Sequence, residues 1–393
     1  MYKVKELFDR VNSFDSPLHI RYPELKYNDR KKIVFVSPML NKHGLFRMIL
    51  PALELRESGH FHTIVTNIIP ETCNKTIDDF NVKMNPEVIK WADVIVFQAS
   101  CQDMKPLFKS IKNLNPKIKI GIDMDRNYHN LNEHNYAFRK FNVDKVKVQN
   151  RGMNPQTILV DNIMAADFST YPDKITELFY QKKAGVSIKT HILPNLISPF
   201  MFEDINILTA SAPKSAKKRI VLLADQDDYD DIASFRIAIS ELCIAIPDMD
   251  LFVLGNCIAF DGKNPLKFVS CNFITYKSML EYYKILHNLN PDVAIIPLKK
   301  MKFQRSYYKM LELGSLGIPM VAINDYPYNH LLKENTHILL AHKKNTFLRS
   351  VKDIITKSEV SSELIKNAQS FILTKYNFTN PEMQNFWINA FLG

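Results

Sequence analysis

Glycine and cysteine are scarce in this sequence, and long apolar runs do not occur in it. Only 10 of the 393 residues are glycines and 5 are cysteines. The glycines form neither the G-x-G-x-x-G fingerprint of dinucleotide-binding enzymes nor a G-x-x-x-x-G-K-[ST] P-loop, so both functions are disfavoured. The cysteines show no C-x-x-C spacing, which argues against a zinc site or a disulfide framework and is typical of reduced, buried thiols.

No segment approaches the roughly 18–20 uninterrupted apolar residues that a membrane span needs. The N-terminal run MYKVKELFDRVNSFDSP lacks the continuous apolar core of a signal peptide, so we predict a cytoplasmic protein. The formal net charge is +10. This balance favours anionic partners, namely nucleotide phosphates, lipid headgroups at a membrane surface or nucleic acid, and it does not choose among them.

Short, continuously apolar runs alternate with helical-looking stretches along the chain. Such runs predict strands buried on both faces of parallel sheets, and the alternation predicts an α/β fold. The predicted strands of the first half are Ile33–Ser37, His62–Ile69, Ala92–Gln98, Lys117–Asp123, Thr157–Asp161 and Thr190–Pro194. Those of the second half are Arg219–Ala224, Leu251–Gly255, Asn272–Thr275, Asp292–Leu298, Ile318–Ile323 and His337–Ala341.

The small, polar segment Thr209–Lys218 reads as a linker between two domains of similar size. We predict two Rossmann-like domains facing each other across a cleft, with ligands at the carboxyl ends of the strands. Residues 1–204 would form the first domain and residues 205–375 the second, and residues 376–393 would form a C-terminal helical segment.

The segment Asn290–Asp325 combines a buried strand, a basic loop and a helix N-terminus. We expect Ser306 to cap a helix that ends near Leu316, and helix N-termini with nearby cations bind phosphates. Lys309 and Glu312 share a face of that helix. Glu312 is placed to accept ribose hydroxyls, although an ordinary ion pair on a solvated helix is the alternative. The loop cations are Lys299, Lys300, Lys302 and Arg305.

From Ser306 to Ala322 the sequence reads S-x-x-K-x-L-E-x-x-x-x-G-I-P-x-V-A. This run resembles the donor-site helix of GT-B glycosyltransferases, particularly the retaining family 4. The family's E-x7-E motif places its second glutamate at Glu312. Its first glutamate, which contacts the donor sugar in the family, is replaced by Gln304 in this sequence. The further matches are Asn41–Leu55, the passage from Ala165 to the LPN ending at Asn195, Pro327-Tyr328, and the C-terminal stretch with Tyr376 and Trp387.

The resemblance implies a hexosyltransferase of polysaccharide biosynthesis with a nucleotide-diphosphate sugar, foremost a UDP-sugar, as co-substrate and no cofactor. The reaction would retain the anomeric configuration and be metal-independent, and the acceptor would be a saccharide or a lipid-linked molecule. The resemblance also implies that residues 1–204 form the acceptor-side domain and residues 205–375 the donor domain, with the helix of residues 376–393 crossing back to the first domain. Gly44 and Arg47 would contribute to donor binding from the first domain.

Asp123-Met124-Asp125 follows a predicted strand. A D-x-D pair can hold Mg²⁺, but the matching position in the family favours contact with the acceptor or the sugar, with His129 as a nearby alternative. The acidic run Asp225–Asp231 stands where relatives carry an arginine and a lysine for the pyrophosphate. We read it as a solvated helix N-terminus, which leaves phosphate binding to the loop cations.

Two other functions stay open. The basic charge also permits a modified base in DNA as the acceptor, as in some phage glycosyltransferases. Gln304 and the missing Arg/Lys pair favour a non-catalytic, nucleotide-binding protein with the same two-domain frame.

Overall fold

A computed structural model describes most of the chain and divides it into two units, each with its own sheet. The described residues are 3–13, 16–37, 42–66, 84–100, 102–128, 155–185, 188–202, 205, 217–225, 228–255, 266, 269–299 and 306–392. The predicted linker therefore lies almost wholly outside them. Among the described residues, no helix has the length and apolar character to cross a membrane.

Unit 1 contains a parallel six-stranded sheet in the order β2-β1-β3-β4-β5-β6. It takes its described residues from the chain up to Tyr128, from 155–201 and from 378–392. The strands are β1 Lys31–Val36, β2 Phe61–Thr66, β3 Val94–Gln98, β4 Lys119–Asp123, β5 Phe168–Tyr171 and β6 Thr190–Ile192. The helices are α1 Lys3–Asn12, α2 Leu18–Arg21, α3 Lys42–Gly44, α4 Leu50–Glu57, α5 Pro86–Trp91, α6 Lys105–Leu114, α7 Pro155–Ala165, α8 Lys174–Ala184 and, at the end of the chain, α15 Pro381–Leu392.

Unit 2, Phe202–Asn377, contains a second parallel sheet in the order β12-β11-β10-β7-β8-β9. Its strands are β7 Lys218–Leu223, β8 Met249–Leu254, β9 Asn272–Ile274, β10 Val293–Ile296, β11 Met320–Ile323 and β12 Leu339–Ala341. Its helices are α9 Tyr229–Ala245, α10 Met279–Leu289, α11 Tyr308–Ser315, α12 Tyr328–Leu331, α13 Lys344–Thr356 and α14 Ser358–Lys375. The strand order reverses between β7 and β10, and ligands bind α/β sheets at such switch points.

Three strands inside the sheets are buried along their whole length, as continuous apolar runs predict. β3, β10 and β11 are buried at every residue. Because parallel strands are covered by helices on both faces, neither face of these strands needs polar side chains. The predicted α/β fold with two Rossmann-like sheets is confirmed.

One predicted strand is wrong. Thr157–Asp161 lies inside helix α7, and the strand at that place in the sheet is β5. A short apolar run fits a buried helix as well as a buried strand, and here Pro155 occupies the first helical position, where proline is favoured. β5 has little apolar signal because its centre is Ser169 and Thr170, which are nevertheless buried.

Candidate active site

The polar residues of unit 1 gather at the carboxyl edge of its sheet. Asp123 is the last residue of β4, and strand register sets it beside Gln98 of β3 and Thr170 of β5. Asp125 follows two residues later. The sequence predicted this edge as the ligand-binding edge, and both aspartates of the D-x-D pair lie there.

Arg47 makes the largest buried polar network of this edge. Its guanidinium donates to both carboxylate oxygens of Asp123, the shortest of these bonds at 2.5 Å, and to the carbonyl of Leu193 at 2.5 Å and Asn195 Oδ1 at 3.0 Å. Thr170 donates to the same carboxylate at 2.5 Å. Arg47 is only 1% exposed. A buried guanidinium and carboxylate are stable together because each satisfies the other, so this pair fixes the positions of β4 and the loop after β6.

The two residues predicted to bind the donor from the first domain, Gly44 and Arg47, lie in one helical segment. Gly44 is a buried helical residue with φ −60°. A π-helical segment, Leu45–Ile49, joins α3 to α4 and contains Arg47. Single π turns inside helices are found frequently at functional sites. Arg47 itself binds Asp123 within unit 1, not an open surface.

The last helix closes over this arginine. The Arg47 guanidinium carbon lies 5.1 Å from the centre of the Trp387 ring, within the range of a cation–π contact. The Trp387 indole N–H donates to the Pro194 carbonyl at 3.1 Å. Helix α15 thus packs on the same loop that Arg47 holds.

A second buried carboxylate, Asp125, positions a histidine that the sequence analysis missed. Its Oδ2 lies 2.5 Å from His43 Nδ1, and it accepts hydrogen bonds from Arg126 Nε at 3.2 Å and from the Tyr128 hydroxyl. Asp125 has no exposed surface, whereas the His43 side chain keeps 11%. Arg126 also lies against the His43 ring.

Burial by itself raises the pKa of the Asp125 carboxyl, but the charges of His43 and Arg126 and the hydrogen bonds outweigh it and hold the pKa far below its usual range. Asp125 is therefore ionised and orients the imidazole. His129, the predicted alternative, lies outside the described residues. The only sequence signal for His43 is its place just after the first strand, at the edge where ligands bind.

In unit 2 the residues of the predicted donor segment gather near the β7–β10 switch point. Lys299 follows β10, and its backbone N–H donates to Asp231 Oδ1 at 2.8 Å. Lys309 of α11 donates to the Leu223 carbonyl at the end of β7 at 2.9 Å and to Asp228 Oδ1 at 2.8 Å. The structure thus places two aspartates of the acidic run in contact with this segment, Asp231 with the Lys299 backbone and Asp228 with the Lys309 ammonium group.

Helix α11 begins one residue later than predicted. Tyr307 is its N-cap residue and makes no side-chain capping bond, but the Ser306 hydroxyl accepts from the Tyr308 N–H at 3.3 Å. The predicted loop residues Lys300, Lys302, Gln304 and Arg305 lie outside the described residues.

Glu312, a member of the predicted donor set, has no exposed surface. Its two carboxylate oxygens accept hydrogen bonds from the hydroxyls of Tyr282 and Tyr283 in α10, at 3.1 and 3.0 Å. Lys309 and Glu312, which the sequence predicted on one helix face, have different partners. Lys309 binds the end of β7, and Glu312 binds the two tyrosines of α10. Nothing in the α10 sequence signals the two tyrosines as partners of a carboxylate.

Within the parts of the chain that the structure covers, no group of three or more His, Cys, Asp or Glu side chains is placed to hold a metal ion. The D-x-D aspartates are instead bound to Arg47 and His43.

No protein-family model matches the chain, and a search of curated proteins found no significant match. Solved structures are similar. TarM is 13% identical with a TM-score of 0.53, and the match covers 77% of this chain but only 55% of TarM. Sucrose-phosphate synthase from Thermosynechococcus elongatus is 10% identical with a TM-score of 0.60, covering 92% of this chain and 100% of that one. Anabaena HepE, solved in complex with UDP-glucose, is 10% identical with a TM-score of 0.60, covering 91% and 99%. The chain has the two-sheet α/β fold of GT-B glycosyltransferases.

Proposed function

We propose that this protein is a glycosyltransferase. It moves a hexosyl group from a nucleotide-diphosphate sugar to a hydroxyl of a saccharide or lipid-linked acceptor. The C1–oxygen bond to the diphosphate breaks, C1 bonds to the acceptor oxygen, and the acceptor proton leaves with the diphosphate. Retention at C1 is the outcome that the resemblance to family 4 implies. The observation that carries the proposal is the β7–β10 switch point of unit 2, with Lys299, Lys309 and the start of α11 beside it.

The donor half of the proposal assigns the diphosphate to this switch point. Free N–H groups at a helix N-terminus and lysine ammonium groups both favour phosphate oxygens. The helix N–H groups and the lysine ammonium groups together stabilise the departing diphosphate, so the proposal invokes no metal ion. Uridine is the leading nucleoside because HepE, a protein of the same fold, was solved with UDP-glucose.

Glu312 remains the proposed ribose ligand. Its carboxylate already accepts two hydroxyl hydrogen bonds from Tyr282 and Tyr283. A ribose hydroxyl that replaces one tyrosine hydroxyl keeps two hydrogen bonds on the carboxylate, and the displaced tyrosine, which is buried like Glu312, must turn to another acceptor.

The acceptor half assigns His43 to contact with the acceptor hydroxyl. Asp125 orients the His43 ring, and 11% of the His43 side chain is exposed. Asp125 and Asp123 act as positioning residues, the first for His43 and the second for Arg47. Asp125 fixes the orientation of the imidazole, whose Nε2 lies against Arg126, so an acceptor hydroxyl reaches that nitrogen by taking the place of the Arg126 guanidinium.

The test is thermal unfolding in the presence of UDP, GDP, ADP, dTDP or CMP. We expect one nucleotide, foremost UDP, to raise the melting temperature of the wild type, because a ligand that binds only the folded state stabilises it. Lys309→Ala and Glu312→Gln should reduce that shift, while Lys352→Ala, an exposed lysine of α13, should keep it. No shift with any nucleotide on folded protein would contradict the donor site.

A non-catalytic nucleotide-binding protein is the second candidate, and one observation favours it. The groups expected to bind the donor already have protein partners, since Lys309 binds Asp228 and Glu312 binds two tyrosines. Hydrolysis of UDP-glucose without acceptor separates the two functions. Slow release of glucose that Lys309→Ala abolishes supports the enzyme, whereas UDP binding without any release supports the second candidate.

A further inference from the structure

Unit 1 has a groove that is separate from the carboxyl-edge cluster. It lies between the edge strand β6 and the last helix, α15, and has a volume of about 550 Å³. Binding sites for small ligands commonly enclose roughly 300–1,000 Å³. The groove is therefore large enough for one or two sugar rings.

One face of α15 supplies half of the polar lining residues. Glu382, Asn385, Phe386 and Asn389 all line the groove, and their spacing of three and four residues puts them on one side of the helix. Within the described part of the chain, the side-chain amides of Asn385 and Asn389 make no hydrogen bond to protein. Phe386 is 45% exposed, which is a large fraction for a phenyl ring.

The opposite wall consists of β6 and the carboxylate behind it. His191 and Thr190 line the groove from the strand, and Glu177 lies behind them with only 4% of its surface exposed. Glu177 Oε1 accepts hydrogen bonds from the Thr190 hydroxyl and from Gln181 Nε2 at 3.2 Å. Burial lowers the pKa of His191, and Lys189 lowers it further, so the imidazole is neutral near pH 7 and can both donate and accept.

The chemistry of this lining selects one ligand class. The ammonium group of Lys174 is already bound to the Glu177 carboxylate, and no lysine or arginine is among the described lining residues. The lining therefore offers phosphates no uncompensated cation, and the carboxylate of Glu382 repels them, which disfavours nucleotides, nucleic acid and phospholipid headgroups. Two amides, a neutral imidazole and two carboxylates match a ligand with many hydroxyls, which donate and accept at once. An exposed phenyl ring matches an apolar C–H face. A ring with hydroxyls at its rim and C–H groups on its face is a pyranose.

We propose that this groove binds a neutral saccharide, as a second site that holds part of the acceptor chain away from the reacting hydroxyl. The acceptor assignment rests on the proposed function. Saccharide binding itself does not, because it needs no donor.

The experiment is saturation-transfer difference NMR on the full chain with D-glucose, D-galactose, D-mannose and N-acetylglucosamine as probes. We expect at least one probe to receive saturation from the wild type. The double variant Asn385→Ala/Asn389→Ala removes two hydrogen-bonding amides, which corresponds to a dissociation constant raised about tenfold or more. Phe386→Ala should weaken binding similarly.

Phe273→Ala is the matched control, because Phe273 is also 45% exposed but lies on β9 of unit 2. It should bind the probe as the wild type does. No transfer to any of the four sugars, or equal transfer with the groove variants, would overturn the proposal.

A UDP thermal shift on the same samples distinguishes the two possible failures. Saccharide binding without a UDP shift would support the proposed groove and contradict the proposed donor site. A UDP shift without saccharide binding would do the reverse.

Discussion

Charged side chains with almost no exposed surface are concentrated in unit 1. Arg47, Asp123 and Asp125 are each at most 1% exposed. Removing ions from water costs several kcal/mol each, and only close partners with well-directed hydrogen bonds offset that cost. Such groups hold one geometry strictly, since a displaced partner leaves an unpaired buried charge. This is the behaviour expected of residues that position a site.

Asp125→Asn tests this at a single residue. A carboxyl whose pKa is lowered on folding stabilises the folded state above its unfolded pKa of about 3.9, and that contribution is lost as pH falls through the lower folded value. At pH 7 we expect the variant to lose about 3–5 kcal/mol, because His43 and Arg126 keep their charge-stabilised positions only with the carboxylate.

The measurement is urea unfolding at a series of pH values. The difference between wild type and Asp125→Asn should shrink below about pH 4. Asp248→Asn, at an exposed position, is the control and should change little at any pH. A constant difference down to acid pH would contradict the ion-pair explanation.

Some of these residues could be predicted from the sequence and others could not. Asp123 and Asp125 follow an apolar run, so their place at the carboxyl edge of a strand was predictable. His43 and the Tyr282–Tyr283 pair were not, because their roles come from contacts between segments far apart in the chain. His43 meets Asp125 across 82 residues of sequence, and no periodicity encodes such a pairing.

At the scale of elements, the strands with continuous apolar character were the predictable part. The runs Asp292–Leu298 and Ile318–Ile323 contain β10 and β11. β5 could not be recognised, because Ser169 and Thr170 interrupt its apolar character. They are tolerated in the core because Ser169 donates to the Tyr171 hydroxyl and Thr170 to Asp123. Polar residues at a buried strand are thus compensated by partners that only the fold provides.

Gly255 is an element-scale constraint beside the proposed donor site. It ends β8 with φ +139°, and a Cβ atom there would lie 2.4 Å from the backbone oxygen of Ala224, just after β7. We expect Gly255→Ala to destabilise the protein by about 2–4 kcal/mol, through backbone strain and the displacement of the β7 end.

Gly185→Ala is its matched control. Gly185 also has a positive φ, +68°, but no atom lies within 4 Å of a Cβ placed there. Only the cost of the left-handed conformation remains, roughly 1 kcal/mol. Chemical denaturation of both variants should therefore separate strain from steric clash, and equal losses would contradict the close approach of the two strand ends.

At the scale of the whole molecule, the net charge of +10 acts differently on the three ligand classes considered above. A positive protein attracts anions at long range, and salt screens this attraction over about 8 Å at physiological ionic strength. UDP carries charge, duplex DNA carries much more, and a neutral saccharide carries none.

We expect salt to separate these ligands. Between about 50 and 200 mM salt, UDP binding should weaken several-fold, because its diphosphate is attracted by a positively charged protein. Any binding of duplex DNA should fall by about 10³-fold or more if several phosphates are neutralised. The dissociation constant of the sugar bound in the α15–β6 groove should stay constant, because that ligand is uncharged.

Titrations of all three ligands at both salt concentrations give the answer. DNA binding that survives the higher salt and depends on base modification would favour the DNA acceptor over a saccharide. Saccharide binding that weakens with salt would mean that cations take part in the groove, against the charge of its described lining. If UDP affinity does not respond to salt, Lys299 and Lys309 do not bind its phosphates, and the donor diphosphate must be assigned to another part of the chain.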